Sequence, residues 1–175
     1  MIRDEEIQRL INYIKGLGLK ITFSSKKSDC SAAWYLDNSQ IVVYKDENVT
    51  KIETILSLIH ELGHAQHNIH EQNRKVDPVF ERALDHVAAA ELQETDSKKK
   101  QRKIILDSEI AGTFYWEAIY IETNMKFPIW RLKAAMERDV WAYQVFYETG
   151  SYPSGVESKQ KNKELNAKYR KRHNG

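Results

Sequence analysis

Apolar residues recur at helical spacing from Asp4 to Lys15, where Ile7, Leu10, Ile11 and Ile14 share one face before Gly16-Leu-Gly18 stops the helix. The period then changes from 3.6 to two. Lys20-Ile-Thr-Phe23, Ala32-Ala-Trp-Tyr-Leu36 and Gln40-Ile-Val-Val-Tyr-Lys45 read as short strands, the last two joined by a hairpin turn at Asp37-Asn-Ser39. A small, mostly antiparallel sheet is expected.

Helical spacing returns at Thr50. Thr50-Lys-Ile-Glu53 has the form of a capping box, and Ile52, Ile55, Leu56, Ile59 and Leu62 follow it, which predicts a helix from Thr50 to near His70. A second helix is expected from Pro78 to about Glu94, with Phe80, Leu84, Val87 and Ala88 as its buried stripe. Ser97-Lys-Lys-Lys-Gln-Arg-Lys103 reads as an exposed connection. Ile105, Ile110, Phe114, Ala118 and Ile121 then mark a third helix, and Pro128 to Glu148 a fourth, closed by Gly150. The predicted class is α+β, mainly helical, with the small sheet packed on the helix that starts at Thr50.

Composition narrows this picture. The chain has 175 residues, 41% of them hydrophobic, which suits one domain over residues 1–156 followed by a tail over 157–175. Mean hydropathy is -0.64, and no apolar run approaches the roughly 18 residues that would span a bilayer. No membrane partner is expected. The polar start Met1-Ile-Arg-Asp-Glu-Glu lacks the basic-then-apolar pattern of an export signal, and the lone Cys30 excludes an internal disulfide and a thiolate-rich zinc site. Both features predict a cytoplasmic protein. The net charge of +2 is uneven, about +5 over residues 157–175 and about -3 over the remainder. A like-charged end reads as a solvated, partly disordered tail, and its Lys and Arg density would also suit a weak polyanion contact.

The segment that carries chemistry is Leu58-Ile-His60-Glu61-Leu-Gly-His64-Ala-Gln-His67. Residues four apart stand one turn apart on a helix, so the imidazoles of His60 and His64 can reach one ion through Zn–N bonds of about 2.0–2.1 Å. Glu61 then lies beside the ion without binding it, placed to act as general base toward a water whose pKa the ion lowers toward about 7. Leu58, Ile59 and Leu62 supply dry walls. Zinc suits such ligands best, although Mn, Co or Ni would fit similar ones.

Catalytic zinc usually takes three protein ligands, so one is missing from this helix. His70 stands at the distance of the HExxHxxGxxH pattern, but His67 occupies the place of the helix-ending glycine. The carboxylates Glu109, Glu117 and Glu137 are the alternatives. Glu137 stands among the apolar positions Leu132, Ala135, Met136, Val140 and Tyr143, where an inward carboxylate needs a partner. Glu109, at the start of the helix predicted from Ile105, is explained by the helix dipole alone.

Taken together, the stretch from Trp34 to Tyr44, the helix bearing Leu58-Ile-His-Glu-Leu-Gly-His64 and the segment Glu137-Arg-Asp-Val-Trp-Ala142 resemble the small gluzincin-type zinc metallopeptidases, especially the ImmA/IrrE-like group. Val140 and Trp141 depart from that group's usual residues. The resemblance implies a zincin-like domain and peptide-bond hydrolysis, with Zn2+ held by His60, His64 and Glu137 and with Glu61 as base. It also implies a protein or peptide substrate lying as an extended strand along a sheet edge, for which Ala32 to Leu36 is the candidate, with Tyr115 or Arg131 as oxyanion donor. The competing expectations are a metzincin-like or SprT-like peptidase with His70 as third ligand, and a non-catalytic HExxH binding module using the basic tail.

Overall fold

The computed structural model describes residues 5–26, 32–35, 38–44, 49–71 and 96–173. These residues are mainly helical with one small sheet, an α+β arrangement. The predicted helix from Pro78 to Glu94 lies outside them. The chain divides into two compact units, Met1–His70 with Gly112–Phe127, and Glu71–Ala111 with Pro128–Gly175. That division differs from the expected body over 1–156 and tail over 157–175.

In the first unit, helix α1 (Glu5–Gly16) buries Ile7, Leu10 and Ile14, the stripe its spacing predicts. It ends at Gly18, whose φ of 77° is a left-handed value that costs glycine nothing. Strands β1 (Lys20–Ser24), β2 (Ala32–Tyr35) and β3 (Gln40–Tyr44) follow. The sheet order is β1-β3-β2, with β1 parallel and β2 antiparallel to β3, so the sheet is mixed and not mostly antiparallel. Alternation along a strand states which face is buried, here Ile41 and Val43 on β3. It does not state which neighbour the strand takes.

Helix α2 (Lys51–Glu71) starts with the predicted capping box. Thr50 N–H donates to Glu53 Oε2 at 2.7 Å, and Glu53 N–H donates to Thr50 Oγ1 at 3.3 Å. Ile55, Leu58, Ile59, Leu62 and Ala65 are fully buried. Polar side chains of α1 tie this unit together. Glu6 accepts from the backbone of Lys126 and Phe127 and pairs with Lys51, Arg9 Nε donates to Thr123 O, and Gln66 of α2 donates to Tyr13 Oη, which itself donates to Glu122.

Helix α3 (Asp96–Thr113) begins at the Lys-rich stretch that reads as a connection. It starts earlier than predicted because burial extends to Arg102, whose Nε donates to Tyr147 O at 3.0 Å. It also ends earlier, at Thr113, and α4 (Trp116–Glu122) restarts after Tyr115. The break shifts the helical phase. Trp116 and Ile119 are buried, whereas Phe114 and Ile121, expected in the core, are 78% and 69% exposed.

The second unit contains α5 (Ile129–Thr149), closed as predicted by Gly150 with φ 77° and its N–H on Phe146 O. Helix α6 (Gly155–His173) occupies the expected tail, so the boundary at residue 156 falls inside a helix. Its N-terminus is another capping box: Ser154 N–H donates to Glu157 Oε2 at 2.8 Å, and Glu157 N–H donates to Ser154 Oγ at 3.3 Å. Leu165 is buried, Lys161 lies over the Trp141 ring, and Lys168 Nζ and Tyr169 Oη donate to the Glu137 carboxylate. Like charge along this segment is therefore no bar to order, because one face meets an apolar and acidic neighbour.

Candidate metal centre

Helix α2 brings the two histidines together as their spacing requires. His60 Nε2 and His64 Nε2 are 3.2 Å apart, and the rings meet edge to face with centroids 4.8 Å apart. Nitrogens that share a tetrahedral zinc at 2.0–2.1 Å lie about 3.3 Å from one another, so this separation fits one ion. Trp116, buried, packs edge-on against His60 at 5.5 Å.

Glu61 is split between two environments. Its Oε2 accepts from the backbone N–H of Trp34 on β2 at 2.8 Å, while its Oε1 lies 3.9 Å from His60 Nε2. One carboxylate oxygen is thus held by the edge strand and the other faces the histidines.

Among the described residues, the carboxylate that joins them is Glu109. His60, His64 and Glu109 each offer a ligand atom, and these atoms all lie within 4.8 Å of one another. Glu109 is carried by α3, a continuous helix in which a Cβ on Gly112, one turn further on, would lie 2.9 Å from His64 Nδ1. Its position in that helix removes the dipole argument. Because α3 starts at Asp96, Glu109 stands in the C-terminal half, where the helix N-terminus no longer accounts for it, and it is only 6% exposed.

The other predicted residues have different surroundings. Glu137 is held in the second unit by Lys168 and Tyr169, whose hydrogen bonds keep its carboxyl below the ordinary range. Its carboxylate is thus paired within that unit, and the carboxylate grouped with His60 and His64 is Glu109. Glu117 stands in the first turn of α4, where the dipole suits it. Helix α2 continues unbroken through His67 and Asn68, and His70 stacks on Tyr115 at 5.6 Å with rings 7° from parallel. Arg131 lies over the Trp130 ring.

Sequence reasoning missed the glycines at which the helices cross. A Cβ on Gly63 would lie 2.5 Å from Gly112 O, and one on Gly112 would lie 2.9 Å from His64 Nδ1. The signal was Glu109-Ile-Ala-Gly112, a carboxylate and a glycine one turn apart. Family models, curated proteins and solved structures were each compared with this chain, and none matches it.

Proposed function

We propose that this chain is a zinc-dependent metallopeptidase in which His60, His64 and Glu109 hold the ion and Glu61 is the general base. The observation that carries the reading is the 3.2 Å approach of the two Nε2 atoms with Glu109 beside them. A bound divalent ion would polarise a water and the scissile carbonyl, lowering the water's pKa toward about 7. Glu61, steadied at Oε2 by the Trp34 amide, accepts the water's proton at Oε1 and passes it to the leaving amine. Leu58, Ile59 and Leu62 exclude bulk solvent from behind the site.

Strand β2 is at an edge of the sheet, next to Glu61 through its own backbone, which supports an extended peptide as the substrate class. The unbroken α2 and the stacking of His70 on Tyr115 favour a carboxylate over His70 as third ligand. No helix among the described residues is long and apolar enough to cross a membrane. The single Cys30 supports a reducing, cytoplasmic setting. Lys159, Lys163 and Arg170, exposed on one stripe of α6, support a weak polyanion contact.

The test is paired. Purified protein should contain about one zinc per chain, and Glu61→Gln should keep that zinc while peptide hydrolysis of a casein digest falls at least ~100-fold. Wild-type protein with bound zinc and no hydrolysis would favour the binding-module reading. A fully active Glu61→Gln variant would overturn the mechanism.

A further inference from the structure

Gly112 is the penultimate residue of α3 and its φ is not positive, so the turn that follows at Tyr115 does not itself require glycine there, and its presence calls for a reason in packing. A Cβ there would meet His64 Nδ1 at 2.9 Å, Cε1 at 3.0 Å and Cγ at 3.4 Å. The obstacle is one whole edge of an imidazole, not the end of a flexible chain. The ring cannot yield toward His60, because the two rings already meet at 4.8 Å and Trp116 packs against His60 at 5.5 Å. Gly63 brings the backbones equally close from the α2 side, its Cβ position lying 2.5 Å from Gly112 O.

We infer that Gly112 is a positioning residue for the metal centre: the bare backbone at this point sets the rotation of the His64 ring, turning Nδ1 toward α3 and Nε2 toward His60. This rests on the proposed metal site. A side chain at 112 would rotate or displace the ring, and the Nε2 pair would no longer fit one ion. The size limit at position 112 is thus imposed by the metal ligand and not by the helix.

The experiment titrates Co2+ into the metal-free full-length chain and follows visible absorption together with far-ultraviolet circular dichroism. Gly112→Ala should keep the helical signal, bind Co2+ at least ~10-fold more weakly and give an altered spectrum, an effect in the range of lost ligand-orienting contacts. Gly16→Ala, where an added Cβ meets nothing within 4 Å, should match wild type. Wild-type affinity and spectrum in Gly112→Ala would overturn the inference and leave the metal site standing. Absence of Co2+ binding by wild type would remove both. If Gly112→Ala does not fold, long-range 1H–15N spectra of the zinc-loaded wild type decide: His64 should coordinate through Nε2, and coordination through Nδ1 would overturn the inference.

Discussion

Helices α2 and α3 are of similar length and each supplies part of one candidate centre, yet they are encoded in different ways. Helix α2 carries a capping box, apolar residues at every third or fourth place and two histidines one turn apart. The first half of helix α3 carries Lys98-Lys-Lys-Gln-Arg-Lys103, then Ile104, Ile105 and Leu106 in succession, and sets Lys99 four places from Lys103. What supports α3 lies elsewhere in the chain: Ile105 packs with Phe146, and Arg102 reaches the Tyr147 carbonyl. A helix with local signals can be read from end to end, whereas the bounds of one held by distant partners cannot, even when it bears a candidate functional side chain.

The largest expected effect tests whether both helices serve the ion. His60→Ala and His64→Ala on α2 should abolish zinc retention, and Glu109→Ala on α3 should weaken it at least ~100-fold, while Glu137→Ala leaves it unchanged. Metal analysis of the four variants measures this. Loss in Glu137→Ala with retention in Glu109→Ala would return the third ligand to α5.

The next effect concerns packing. Ile59→Ala and Ile105→Ala each truncate a buried side chain and should cost about 2–5 kcal/mol in denaturant unfolding. The difference should show in hydrogen exchange. Amides along α3 should lose protection in Ile105→Ala, and unchanged protection would assign α3 to its local sequence after all. Arg102→Gln, which removes a buried donor from the Tyr147 carbonyl, should cost roughly 1–3 kcal/mol.

The smallest effects are electrostatic. Hydrogen bonds from Lys168 and Tyr169 hold Glu137 below its ordinary value of 4.5, so this contact stabilises above that pH and fades as pH falls through the lowered value. Both Glu137 and Lys168 are more than a third exposed, which limits the pair to about 0.2–1 kcal/mol. Glu137→Gln should lose that amount at neutral pH and nothing in acid. Burial and the Glu122 carboxylate push the Tyr13 hydroxyl up to about 12, so its contribution is complete below pH 10 and is lost as pH rises toward 12. Tyr13→Phe should flatten that alkaline limb of a stability-against-pH curve.

Much of the first unit was readable from the chain alone. The stripe of α1, the three strands, the Thr50 box and the His60-Glu61-His64 constellation depend on residues within a few places of one another, and local spacing is what a sequence displays directly. The closure of α5 at Gly150 is of the same kind. The Ser154 box that opens α6 was equally local, but the like charges after it obscured the signal. Tertiary structure decided the rest. The parallel partner of β1, the early start of α3, the close approach of Gly63 and Gly112, the grouping of Glu109 with the two histidines and the pairing of Glu137 with Lys168 each join residues far apart in the chain. Glu137 shows why: its helix position asks for a positive partner in the same way whether that partner is an ion or the Lys168 side chain. Only packing decides which cation arrives.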